Sequence, residues 1–119
     1  MARNIELGRR GERIAADYLT RAGHRVVDRN WRCPRGELDL VTLDGDQVVA
    51  VEVKTRTSLD YGHPFEAIDR RKLERVHRLG WAWCAAHGMA GARVRVDAIA
   101  VIDAEDGAPP LVEHLVGVR

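Results

Sequence analysis

The stretch RGELDLVTLDGDQVVAVEVKTR, Arg35 to Arg56, decides the fold. Two runs rich in Val and Leu, Glu37 to Leu43 and Gln47 to Thr55, flank Asp44-Gly45-Asp46. Asp-Gly between such runs is a strong hairpin signal, because glycine enters the positive φ of a tight turn without steric cost. Side chains alternate along a strand, so Leu38, Leu40, Val49, Val51 and Val53 are expected on one apolar face. The other face carries Val41, Leu43, Val48 and Ala50 near the turn, then Glu37, Asp39, Glu52 and Lys54 at the open end.

Register decides whether those charges meet. If Leu43 faces Val48, counting back sets Asp39 opposite Glu52 and Glu37 opposite Lys54. A turn centred on Asp44-Gly45 slides the pairing by two and keeps the four charges on one face, whereas a three-residue loop would separate Asp39 from Glu52. Opposed residues have Cβ atoms ~4.5–5.5 Å apart, so facing carboxylates repel unless a cation neutralises them. Hard oxygens suit Mg²⁺, which takes one or two carboxylates and meets phosphate at its remaining positions. Lys54 would stand beside the metal as a fixed positive charge, a layout suited to phosphodiester hydrolysis. The alternative is a solvated face whose cross-strand ion pairs are each worth a few tenths of a kcal/mol. Against that, the run VVAVEV around Glu52 reads as an interior strand covered on both faces, where unpaired charge is costly.

Upstream, Asn4 to Ala22 reads as a helix with an apolar stripe of Leu7, Gly11, Ile14, Ala15, Tyr18, Leu19 and Ala22, ended by Gly23. Gly8 and Gly11 each cost about 1 kcal/mol relative to Ala within a helix, so close approach by backbone or substrate is the expected reason for them. Glu12 flanks the stripe and either pairs with Arg9 or Arg13 or reaches the open end of the hairpin. His24 to Trp31 is the expected first strand, followed by a loop at Arg32-Cys33-Pro34-Arg35. In that loop Arg32 and Arg35 are candidates for phosphate contact, while Trp31 either stacks on a base or caps the core.

Downstream of Lys54, TRTSLDYGHPF reads as a polar loop beside the charged cluster, making Thr55, Arg56 and Tyr61 candidate substrate contacts. His63, ahead of Pro64, reads as a turn residue. Phe65 to His87 is periodic and reads as one long helix, with Trp81 and Trp83 as core or interface positions and Arg70, Arg71 and Lys72 facing either DNA or solvent. Ala92 to Ile102 is the next strand, so the connection from the Glu52 strand is a right-handed, parallel βαβ crossover. Asp97 interrupts its apolar alternation and requires a buried partner such as Arg; Leu111 to Val118 reads as a short edge strand.

With 119 residues, the chain fits a single domain, residues 1–119, with one core. Its 45% apolar and 31% charged residues are ordinary for a soluble globular protein. A net charge of +1 is low for a nucleic-acid binder, but the positive charges are nearly all Arg and cluster at 29–35 and 70–78. Two cysteines without zinc spacing argue against a disulfide framework or structural zinc, and no apolar run is long enough for a bilayer. A cytoplasmic location follows as the expectation.

Together, GRRGERIAADYL, RGELDLV and VAVEVKTR resemble the bacterial YraN-like family of predicted endonucleases, within the PD-(D/E)XK nuclease superfamily and similar to archaeal Holliday-junction resolvases. The resemblance covers nearly the whole chain. It implies a restriction endonuclease-like α/β fold: three layers, a mixed sheet, and a helix-strand-strand-strand-helix-strand core. By the same resemblance Asp39 and Glu52 match the metal-binding acids, Lys54 the catalytic lysine, and Glu12 the acid of the first helix. Leu38 stands where the superfamily name has Pro, a departure shared with this branch. The implied activity is Mg²⁺-dependent hydrolysis of DNA, with Mn²⁺ as substitute, on branched or otherwise structured substrates. A nuclease-fold nucleic-acid-binding or adaptor protein is the alternative. The resolvase analogy also implies a two-fold homodimer, with Trp81 or Trp83 as interface candidates.

Overall fold

The chain forms one five-stranded sheet with a helix on each face, an α/β/α arrangement seen in a computed structural model that describes residues 2–118. The elements are α1 (Ala2–Arg21), β1 (Arg25–Cys33), β2 (Gly36–Asp44), β3 (Gln47–Arg56), a short 3₁₀ turn (Pro64–Ala67), α2 (Arg70–Ala86), β4 (Val94–Ile102) and β5 (Leu111–Leu115). Strands lie in sequence order, antiparallel except for β3 and β4, which are parallel as the long crossover requires. The sheet is therefore mixed, and both of its faces are covered.

Each face has its own apolar cluster. Ala15, Ala16 and Leu19 of α1 pack on Leu40, Val49, Val51, Val53, Ile99 and Val101. Leu73, Val76, Leu79, Trp83 and Cys84 of α2 pack on Leu38, Val41, Val48, Ala50 and Val96. Two-sided burial explains why β3 is a nearly continuous apolar run. Ala22, assigned above to the α1 stripe, is instead exposed beyond the helix end, and Ala16 is buried in the core. Gly23 (φ +97°) closes α1 as expected, with the His24 N–H donating to Leu19 C=O at 2.9 Å.

Several boundaries differ from the sequence reading. Arg32 and Cys33 belong to β1, since the hairpin pairing runs out to Cys33 opposite Gly36 and leaves only Pro34-Arg35 as the turn. Thr55 and Arg56 extend β3 because β4 continues to pair with them. The expected helix from Phe65 is two elements: His63 caps the 3₁₀ turn by accepting the Phe65 N–H, and Asp69 caps α2 by accepting the Lys72 N–H at 2.8 Å. An extended Asp69 backbone stops a helix from running through. Trp31 packs on the α2 cluster with its ring against His87, so it caps the core.

Leu38 departs from the expected face: it packs with α2, whereas Leu40 packs with α1. Strict alternation would place both on one side, so β2 breaks its alternation at Asp39. Asn30 lies between the pairs Arg29–Leu40 and Trp31–Leu38 and adopts φ 52°, a left-handed conformation that asparagine tolerates. Both strands of this pair are therefore irregular at Asn30 and Asp39.

Asp97 has the partners its burial demands. It accepts from Arg95 Nε (2.9 Å) and Nη2 (3.1 Å), His114 Nε2 (2.8 Å) and the Gly117 N–H (3.0 Å). Burial alone would raise its pKa, but these donors hold the carboxyl below its usual range. Arg95 also reaches Asp44, so the network ties β5, β4 and the β2–β3 turn together.

Gly11 is required by close packing. A Cβ there would lie 2.8 Å from Thr55 Cβ and Cγ2 and closer still to Oγ1. Gly8 does not share that reason, since a Cβ there meets nothing within 4 Å. Gly11→Ala is expected to lower stability by ~1–3 kcal/mol through overpacking, with Thr55→Ala restoring part of the loss. Denaturant titration of both single variants and the double checks this, and strict additivity would contradict it.

Candidate active site

The β2–β3 ladder ends early. Pairing runs from Asp44–Gln47 through Leu43–Val48 to Leu40–Val51 and stops, whereas β3 continues beside β4 to Arg56. The register near the turn is thus the expected one, but Asp39 does not pair with Glu52 across a regular ladder. Instead, Asp39 Oδ2 accepts the Val53 N–H at 2.8 Å, occupying a backbone donor on the edge that β2 has left. The strands fork at this point, and the charged side chains gather in the fork.

Asp39 is in electrostatic contact with both Glu52 and Glu12. Its pKa is pushed up to about 7, first by burial and then by the Glu52 charge; the Val53 N–H partly offsets the rise, and Glu12 and Glu37 add to it. Glu12 is raised too, by burial and then by Glu37, with the neighbouring Asn30 and Asp39 side chains partly offsetting the rise. Glu12 therefore reaches the hairpin and does not serve only Arg9 or Arg13 on the helix surface. Of the four expected acids and bases, the fold brings Glu12, Asp39, Glu52 and Lys54 into one neighbourhood.

Glu52 is held by two ammonium groups. Lys72 Nζ is 2.9 Å and Lys54 Nζ 3.6 Å from its Oε1. Burial and the adjacent Lys72 lower the pKa of Lys54. Lys72 moves the opposite way: burial works against its charge, but hydrogen bonding to Glu52 and Lys54 outweighs it. Lys72 was not identified as a site residue from the sequence, where it reads as one of several basic residues beginning a helix. Only the packing of α2 over β3 joins it to Glu52. Asn30, too, escaped notice, as a strand-interior asparagine gives no sign of a left-handed backbone.

Other expectations change. Glu37 does not face Lys54; its Oε2 is 3.4 Å from Arg32 Nε, because the forked strands carry it toward β1. Arg32 is thus engaged on the strand, while Arg35 sits in the β1–β2 turn against α2. Tyr61 is 99% exposed and is not among the walls of the pocket described next. Trp83 is 4% exposed, with Nε1 donating to Asp28 at 2.8 Å, so it is unsuited to a dimer interface; Trp81 is 55% exposed.

A cavity of about 680 Å³ opens beside the fork. Its walls include Gly8 and Glu12 from α1 and Lys54, Thr55 and Arg56 from β3. The bare helix surface at Gly8 leaves this space open. Among the described residues, no group of three or more His, Cys, Asp or Glu is arranged as a ready-made metal cage. What the site does offer is a buried surplus of carboxylate charge, two lysines on Glu52, and an open approach.

Fold and site together define a three-layer α/β protein with a charged fork at the edge of its central strand. The chain belongs to the family described as "Uncharacterised protein family UPF0102", the YraN-like family, whose model matches residues 11–101. It is 57% identical over 112 residues to a UPF0102 protein of Paenarthrobacter aurescens, covering 94% of this chain and 92% of the relative. It is similarly 60% identical over 113 residues to one from Arthrobacter sp. strain FB24, covering 94% of each. With UPF0102 protein RSal33209_1090 of Renibacterium salmoninarum it shares 52% identity over 118 residues, covering 99% of both chains. No helix among the described residues is long and apolar enough to cross a membrane.

The raised Asp39 pKa carries a stability consequence. Its folded value, about 7, lies above the ordinary 3.8, so the folded state binds this proton more tightly. The resulting contribution is fully present below the ordinary value and is lost as pH rises through the folded one. Asp39→Asn stays neutral and keeps an acceptor for Val53. Its melting temperature is expected to exceed that of wild type by a few degrees at alkaline pH, the gap closing toward pH 4. A pH-independent gap in thermal melts would refute the assignment.

Proposed function

We propose that the chain is a metal-dependent endonuclease hydrolysing phosphodiester bonds in DNA, with Asp39, Glu52, Lys54 and Glu12 as its working residues. One observation carries this reading: a half-buried carboxylate, Asp39, is crowded by Glu52 and Glu12 beside Lys54 and an open cavity. Such crowding costs stability, and neutralisation by a cation gives it a purpose. The donor chemistry fits Mg²⁺, which needs only one or two protein carboxylates. Asp39 and Glu52 would hold the metal, with Lys72 giving up part of its ion pair to Glu52. When bound, Mg²⁺ or its substitute Mn²⁺ supplies charge to the scissile phosphate and makes water a usable nucleophile near neutral pH.

The chain's own residues do the rest. Lys54 steadies negative charge developing on the phosphate. Glu12, beside Asn30 and Asp39, would orient the attacking water and take up its proton. Attack in line on phosphorus expels the 3′-oxygen and leaves a 5′ phosphate, following the PD-(D/E)XK resemblance and its restriction endonuclease-like fold. Thr55 and Arg56, on the cavity wall, would contact substrate. Branched or otherwise structured DNA and a homodimeric, cytoplasmic enzyme belong to the same reading by analogy with resolvases.

A second reading has its own observation. Glu52 is already neutralised by Lys72 and Lys54, which suits a nucleic-acid-binding or adaptor protein without strong catalysis. The two readings separate in a cleavage assay on branched, flapped, single-stranded and duplex DNA and RNA with Mg²⁺ or Mn²⁺. Wild type is expected to cut, and Asp39→Ala, Glu52→Ala and Lys54→Ala each to lose roughly 10²-fold or more, the scale of one electrostatic stabiliser. Mg²⁺ is also expected to raise the melting temperature of wild type and not of Asp39→Ala. Binding without cutting, indifferent to metal, would favour the adaptor.

A further inference from the structure

We propose that Arg35, Arg75 and Arg78 form a binding site for the phosphodiester backbone of nucleic acid, joined along α2 to the charged fork. These residues and Leu79 line a groove of about 430 Å³ between the β1–β2 turn and α2. The groove is fixed by packing: Gly36 (φ +148°) follows Arg35, and a Cβ there would lie 3.3 Å from Leu79 Cδ1. The turn thus rests directly on α2, which sets Arg35 beside Arg75 and Arg78. All three arginines are exposed, and among the described residues no carboxylate lies in ion-pair range of any of them. By contrast Arg10, Arg32, Arg93 and Arg95 each have an acidic partner.

Helical spacing makes the groove part of a row. Residues three apart on a helix are neighbours on its surface, rising ~4.5 Å per step, so Lys72, Arg75 and Arg78 form one line. The line starts at Lys72, 2.9 Å from Glu52, and ends in the groove. Glu74 does not interrupt it, because it lines a different surface with Arg70, Leu73, His77 and Val118. A small anion would be satisfied by a single guanidinium fork. Forks spread from the fork of the sheet to the β1–β2 turn match a ligand with repeated phosphates. The attraction is local, since the whole chain carries only +1.

The inference deepens the reading of the fork as a phosphodiester site, yet binding by the row does not require cutting. The test measures binding of fluorescent duplex and single-stranded DNA of equal length by anisotropy, in EDTA, across a salt series. Wild type is compared with R35A/R75A/R78A, whose fold is checked by its melting curve, and with Arg21→Ala on α1 as a charge control. The triple variant is expected to bind at least roughly tenfold more weakly at low salt. Its log K against log salt slope should be shallower by about 2–3 on duplex, at ~0.9 per lost contact, and less on single strands, at ~0.7. An unchanged slope, a loss no greater than that of Arg21→Ala, or a wild type that binds neither polymer would each overturn the site. Cleavage that fails while this binding pattern holds would count against the hydrolase and leave the site standing.

Discussion

The hydrogen bond from the Val53 N–H to the Asp39 carboxylate is the constraint on which the site depends. Where β2 leaves β3, a buried backbone donor loses its strand partner, and an unmet donor there would cost about 1–3 kcal/mol. A side-chain carboxylate takes the place of a backbone carbonyl. The strands can then separate without an orphaned amide, and Asp39 is held at the mouth of the gap they leave. β4 pairs along the rest of β3, so the gap opens on one side only.

Around that bond the electrostatics run against stability. Burial alone raises Asp39, Glu52 raises it further, and Glu12 arrives from the opposite helix with the same sign of charge. The two lysines compensate Glu52 and leave Asp39 only partly relieved. Elsewhere the chain treats buried charge differently: Asp97 has four donors and a lowered pKa. A satisfied aspartate in the scaffold thus stands beside a frustrated one at the fork.

Much of this was legible in the residues. The hairpin, its register at Leu43 and Val48, the parallel crossover and the buried partner of Asp97 followed from periodicity, turn chemistry and the cost of unpaired charge, whereas Gly11 is crowded by the Thr55 side chain and not by the backbone or substrate its position suggested. Boundaries were less legible. Asp69 divides the expected Phe65–His87 helix because a capping carboxylate competes locally with helix continuation, a choice decided by which backbone amides the fold leaves free. Leu38 misled because strand alternation holds only while the strand is regular.

The sequence by itself determined the fold class and the chemical identity of the cluster, since alternation and helical periodicity fix which faces are apolar, and Glu, Asp and Lys interrupt them at only a few places. Tertiary structure alone decided how the cluster is arranged. It set Asp39 on a backbone amide of β3, brought Lys72 to Glu52 from the helix packed over that face, turned Glu37 away toward Arg32, and laid Arg35 against α2. Each of these depends on the relative placement of elements distant in sequence, and no local pattern of residues encodes such distances.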